Sequence, residues 1–154
     1  MSDSFRQAVG RQVVSRATAH KMGTVGHLLV SPDGRQVAAV VIGRGKKAQF
    51  IDWPELTGFG ADAVMVGDES ALRPARDDRE RAAASGKLNL LGKRALTELG
   101  NGLGVVGDVT FDPKSGAVEL VQVGDQSVPA DAVLGSGSYA VVVAASQDRL
   151  EPVA

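Results

Sequence analysis

Two stretches decide how this chain is read: Gly23-Thr24-Val25-Gly26-His27-Leu28-Leu29-Val30-Ser31-Pro32 and Gly104-Val105-Val106-Gly107-Asp108-Val109-Thr110-Phe111-Asp112-Pro113. Each opens on a glycine, carries a second glycine three positions on, continues through apolar residues and ends one residue after a polar side chain with a proline. They lie 81 positions apart. Val37 to Ile42 repeats as Val118 to Val123 at the same spacing, and upstream Val9-Gly10-Arg11-Gln12-Val13 resembles Leu91-Gly92-Lys93-Arg94-Ala95. Downstream, Ile51 to Gly60 lies over Val128 to Gly137, and Val64-Met65-Val66 over Val141-Val142-Val143, now 77 positions apart. The change of spacing places the extra residues of the first copy at Gly43-Arg44-Gly45-Lys46-Lys47-Ala48. Glycines, prolines and apolar runs recurring in one order are the signature of a duplicated unit.

Each copy reads as a series of short strands. Gln12 to Ser15, Thr24 to Val30, Gln36 to Ile42, Ala48 to Asp52 and Ala63 to Val66 are β-rich runs in the first, separated by turn residues. Ser31-Pro32-Asp33-Gly34 is turn chemistry, because proline pre-sets φ and glycine accepts a positive one. Asp112-Pro113-Lys114-Ser115-Gly116 is its counterpart. Pro54-Glu55-Leu56 suits the start of a helical turn. Val118 to Val123 alternates in part, as a strand with one wet face does. Many short strands in a unit of about 70 residues favour closure into a barrel, which hides sheet edges. The expected fold class is all-β: two small, strongly twisted barrels in tandem.

The expected boundaries are residues 1–72 for the first barrel, 73–86 for a charged linker and 87–154 for the second. The linker, Arg73-Pro74-Ala75-Arg76-Asp77-Asp78-Arg79-Glu80-Arg81-Ala82-Ala83-Ala84-Ser85-Gly86, is read as solvated, either a tether or a short exposed helix starting near Asp77. An Arg-rich docking segment is the competing reading.

Composition narrows the function. The 17 basic and 18 acidic side chains give a formal charge of −1, so bulk electrostatics do not point to nucleic acid or an anionic membrane. There is no cysteine, which removes disulfides, thiolate nucleophiles and Cys-ligated zinc, and fits a reducing cytoplasm. No apolar run approaches the ~18 residues of a membrane-spanning helix, and the N-terminus lacks a signal layout; the expected location is the cytoplasm. Aromatics are 4% of the chain, so the cores must be built mainly from Val, Leu, Ile and Ala. Such thin cores call for support from the sister unit or a second subunit, which makes a homodimer one expectation.

The order of motifs resembles the PRC-barrel family, whose fold is shared by the cytoplasmic domain of the photosynthetic reaction-centre H subunit and the C-terminal domain of the ribosome maturation factor. The resemblance is carried by Leu91 and Gly92, by Gly104, Val106, Asp108 and Val109, by Asp112 with Gly116, by Val128, Pro129 and Val133, and by Val141 to Val143. The first copy departs from the family outline with His27 where an acid is usual, and with its proline two positions late, at Pro54. The resemblance covers about 130 residues. It implies a tandem of PRC-type barrels acting as an accessory, non-catalytic module that docks onto a protein partner, and it implies no catalytic residues.

Motifs for chemistry are sparse. His20 and His27 lack metal-ligand spacing, and no Gly-x-Ser-x-Gly elbow is present. Gly102, Gly104 and Gly107 match a Gly-x-Gly-x-x-Gly string, but a strand rather than a helix follows, so no dinucleotide site is expected. No cofactor, metal or catalytic residue is therefore expected. The candidate partner-binding residues are Arg44, Lys46 and Lys47, a basic loop between glycines, and Trp53, the only tryptophan. Trp53 is read either as packing over an open barrel end or between units, or as an interface anchor. The leading function is a protein-interaction adaptor. The alternatives are an RNA-processing or ribosome-assembly accessory factor, which would use the basic loop, and a small-molecule-binding or stress-related protein, which would need a polar titratable cluster.

Overall fold

The computed structural model describes residues 2–147 of the chain. Thirteen strands are its main elements. A short β1 (Asp3–Ser4) and one helical turn, α1 (Phe5–Ala8), precede two sets of six. The first set is β2 (Gln12–Ser15), β3 (Lys21–Val30), β4 (Val37–Ile42), β5 (Gln49–Asp52), β6 (Leu56–Phe59) and β7 (Ala63–Val66). The second is β8 (Arg94–Thr97), β9 (Gly102–Phe111), β10 (Val118–Val123), β11 (Gln126–Pro129), β12 (Val133–Ser136) and β13 (Ala140–Val143). Their orders in space are β5-β4-β3-β2-β7-β6 and β11-β10-β9-β8-β13-β12, the same path walked twice. In both, the first strand of the set pairs with the sixth in parallel, β2 with β7 and β8 with β13, and all other neighbours are antiparallel. Every strand of one set has a partner of equal length in the other.

The long second strand of each set, β3 and β9, organises its unit. Lys21 to Thr24 pairs with β2, and Val25 to Val30 pairs with β4, with register shifts at the changeover. A strand that changes partner half-way must bend, and bulges and glycines let it do so. Gly23 and its counterpart Gly104 have φ of +151° and +119°. Among the described residues no ladder joins β5 to β6 or β11 to β12, so hydrogen bonding does not close either sheet into a ring. Both outer strands of each unit are short, and a barrel-sized sheet of such strands can be capped at its edges instead of closed. β6 and β12 themselves carry a central glycine and no alternation, which is why the sequence reading did not place strands there.

The units face each other across a pseudo-two-fold axis. Val37 N–H donates to Gly116 O at 2.8 Å, and Val118 N–H donates to Arg35 O at 2.9 Å. Advancing either bond by 81 positions turns it into the other, as a two-fold contact requires. Inward-facing residues of both sheets merge into one hydrophobic core: Val13, Leu28, Val40 and Val64 from the first unit are continuous with Val106, Val109, Val121 and Val141 from the second. The aromatic side chains gather at this seam. Phe5 meets Phe111 edge-on at 5.5 Å between ring centroids, Phe59 meets it at 5.3 Å, and Trp53 meets it at 6.2 Å. Four of the six aromatics are thus placed where two thin cores join, and the fully buried Phe5 and Phe111 each contribute on the order of 2–3 kcal/mol of burial.

The 73–86 segment is not a solvated linker. Arg73 exchanges both backbone hydrogen bonds with Phe50, at 2.7 and 3.0 Å, and so caps the free edge of β5. Helix α2 (Asp78–Ala84) follows, N-capped by the Asp77 carboxylate, which accepts from Glu80 N–H at 2.8 Å. Its Ala83 and Ala84, with Leu88, are buried against Leu29, Ala39, Val41 and Phe50 on the outer face of β3, β4 and β5. The cause is in the alternation. Around Leu29, Ala39, Val41 and Phe50 the outward face of the first unit is apolar, with His27 and Asp52 beside them, whereas Asp108, Thr110, Gln122 and Ser127 hold most of the corresponding positions in the second, where no helix lies.

Candidate functional site

The four residues singled out in the sequence do not form one site. Arg44, Lys46 and Lys47 are exposed in the loop before β5, and Trp53 is half-buried just after it. Four strand residues separate them, roughly 13 Å at strand rise. The loop leans on α2. The Arg44 guanidinium lies against Gly86, and Lys46 and Arg81 border a shallow cavity of about 400 Å³ floored by Ala48, Ala75 and Ala84. Phe50, the aromatic nearest the loop in sequence, is fully buried with the Arg73 guanidinium 5.5 Å above its ring. It offers no face for base stacking.

His27 sits beneath α2, 6% exposed, with Nε2 lacking a hydrogen-bond partner. Burial, then the nearby Arg44 charge, lowers its pKa from 6.5 to about 4, against a raising contact with the Ala83 backbone. The imidazole is neutral near pH 7. Beside it, α2 is clamped by a charge network. Arg73 donates to Asp52 at 2.6 and 3.1 Å and to Glu80 at 2.8 and 2.7 Å. Hydrogen bonds from Arg73 hold the Glu80 carboxyl down at about 2 and lower that of Asp52. These are fixtures of the linker rather than reactive groups.

The seam between the units holds a cleft. It measures about 580 Å³ and runs between the second hairpin, at Asp112, Pro113 and Lys114, and the strand β6, at Leu56, Thr57, Gly58 and Phe59, with Trp53 at one end. That volume is typical of a site for a small ligand or a few residues. Trp53 stacks on Phe59 with centroids 5.5 Å apart and an interplanar angle of 27°. Phe59 and Pro113 also line a second cleft of about 500 Å³ with Asp3, Gln7 and Arg11. Arg11 pins the far end: it pairs with Asp3 at 2.7 Å, donates to Gly60 O at 2.9 Å and lies 5.3 Å above the Phe59 ring. Hydrogen bonds to its own loop, first from Lys114 N–H, lower the Asp112 pKa, so the rim carries a carboxylate at neutral pH.

The pseudo-two-fold supplies a second copy of this place, and there the cleft is closed. The first hairpin packs directly onto β12. Ser136 N–H donates to Pro32 O at 2.8 Å, and Arg35 donates to Val133 O at 3.0 Å and Asp131 O at 3.2 Å. The exchange of side chains explains the difference. Ala130 and Ser136 stand where Trp53 and Phe59 stand in the first unit, and Gly116 stands where Arg35 would be needed to bond β6. Two aromatic side chains hold the second hairpin away from β6, and a glycine leaves it without the arginine that would fasten it. The repeat alignment contained this signal, in the exchanges of Trp53 for Ala130 and Phe59 for Ser136, but only the fold shows that both pairs face the opposite hairpin.

Comparison with protein-family models and with curated proteins finds no match to this chain. Among the described residues, no helix is long and apolar enough to cross a membrane.

Proposed function

We propose that this chain is a tandem PRC-type barrel protein that works as a non-catalytic docking module, receiving a protein partner in the cleft at its seam. The barrel reading is supported by the bent second strand of each set, which pairs with one neighbour along its first part and with another along its second. The single observation that carries the docking reading is the broken symmetry: one of two equivalent clefts is sealed by the chain's own hairpin, while the other stays open and presents Trp53, Leu56 and Phe59. Aromatic side chains at a rim of mixed charge are what protein interfaces use as anchors. The cleft draws on both units, so the duplication itself is part of the site.

The test is site-specific photo-crosslinking in the native host. A photoreactive residue at Thr57, exposed on β6 in the cleft, is expected to capture a partner protein; the same residue at Leu99, exposed on the β8–β9 turn, is not. Equal capture from both positions, or none from Thr57, contradicts the docking function. An adduct of twice the chain mass would identify the partner as a second copy.

A further inference from the structure

Resting on that docking reading, we infer that the partner presents a proline turn followed by an arginine, a Pro-x-x-Arg segment, that hydrogen-bonds to the free edge of β6 as the first hairpin does to β12. The argument starts from the ladder. Gly60 N–H donates to Ala63 O at 3.0 Å across the β6–β7 turn. In an antiparallel pair the bonded positions alternate, so Phe59, one residue back, turns its N–H and C=O away from β7 and toward the outer edge. The equivalent turn bond is Gly137 N–H to Ala140 O at 3.1 Å, and the residue one back, Ser136, does point outward, because its N–H reaches Pro32 O. Phe59 N–H has no such acceptor among the described residues, nor does the Trp53 indole N–H. An unpaired strand edge beside an aromatic floor is the arrangement that strand-adding peptide sites use.

The occupied copy describes the ligand. At β12 the occupant is Pro32-Asp33-Gly34-Arg35: the proline carbonyl takes the strand N–H, and the arginine three residues on bonds the carbonyls of Val133 and Asp131. At β6 the corresponding acceptors are the carbonyls of Leu56 and Pro54. The open cleft adds what the closed one lacks, a Trp53–Phe59 surface on which a proline ring can lie and, on the hairpin side of the cleft, the Asp112 carboxylate as a charge partner for a guanidinium. The chain's own Pro32 turn is already engaged, and the second hairpin offers Pro113 with Gly116 in place of the arginine. The segment must therefore come from another protein.

Trp53 is the only tryptophan, so its fluorescence reports on this cleft without labelling. The probe is a backbone-cyclised peptide carrying the sequence of residues 30–37, Val-Ser-Pro-Asp-Gly-Arg-Gln-Val, titrated into the full-length protein, with Phe59 and Ser136 amides followed by NMR. Saturable quenching or shift of Trp53 emission, movement of the Phe59 amide but not of Ser136, and binding about tenfold weaker or worse when the peptide arginine becomes alanine are the expected results. No change in Trp53 emission up to millimolar peptide, or equal binding by the alanine peptide, would overturn the inference. Crosslinking from Thr57 together with a silent peptide titration would remove the Pro-x-x-Arg segment and leave the docking function standing; silence in both would remove both.

Discussion

Gly116 has φ of +77°, and a Cβ built on it would lie 2.7 Å from the Trp53 ring. Gly45 has a similar φ of +65° with nothing near it. The pair separates two costs that a glycine substitution mixes. Gly45→Ala carries only the left-handed backbone penalty, about 1 kcal/mol, whereas Gly116→Ala adds displacement of the indole and of the Gln36 amide, 2.5 Å from the new Cβ, and is expected to cost about 2–3 kcal/mol. Urea unfolding of both variants measures the difference; equal losses would mean that the second hairpin does not rest on Trp53. His27 gives a second residue-scale expectation. Its folded pKa lies below the unfolded value, so the unfolded chain takes up the proton first as the pH falls. The stability it supports is complete above pH 6.5 and declines between 6.5 and about 4, by up to ~3 kcal/mol. His27→Leu is expected to flatten that stretch of the stability-against-pH curve, and an unchanged slope would show that the imidazole is not buried neutral.

Helix α2 is held by alanines packing on a strand face and by carboxylates gathered around Arg73. Glu80→Gln keeps the shape and removes one charge from a partly buried pair, at an expected cost of about 1–2 kcal/mol after allowing for solvent screening. Amide exchange at residues 78–84 should quicken while β8 to β13 stay unchanged; uniform loss of protection would show that the helix is part of the global fold. The acid dependence follows from the lowered carboxyl: the contribution of Glu80 is present above pH 4.5 and disappears as the pH falls toward about 2. This element also marks how far the sequence could be read. The strand runs, the hairpin turns and the duplication were legible because β-branched runs and turn residues act locally. The docking of 73–86 was not read from its own charge-rich composition, although its cause was visible elsewhere. Leu29, Ala39, Val41 and Phe50 are apolar on the outward alternation of β3 to β5, and such a face needs a cover. β6 and β12 were missed because Leu56-Thr57-Gly58-Phe59 and Val133-Leu134-Gly135-Ser136 have no periodicity, and their neighbours alone make them strands.

The duplicated units form one molecule because their inner faces and aromatic side chains share a core. A single unfolding transition is therefore expected, with Trp53 fluorescence at the seam and far-UV circular dichroism of both sheets coinciding in urea. Two separated transitions would mean that each unit keeps its own core. Of the candidate site, the sequence marked Trp53 but grouped it with a basic loop at the other end of β5. Trp53 and Pro113 meet across the pseudo-two-fold 60 positions apart in the chain, and no local pattern links them. The central claim is that duplication made two equivalent strand edges and divergence sealed only one. Amide hydrogen exchange at Ser136 and Phe59 in the free protein tests it most directly. Ser136, bonded to Pro32, is predicted to be protected, and Phe59, its pseudo-symmetric counterpart, to exchange far faster. Equal protection at the two positions would contradict the account.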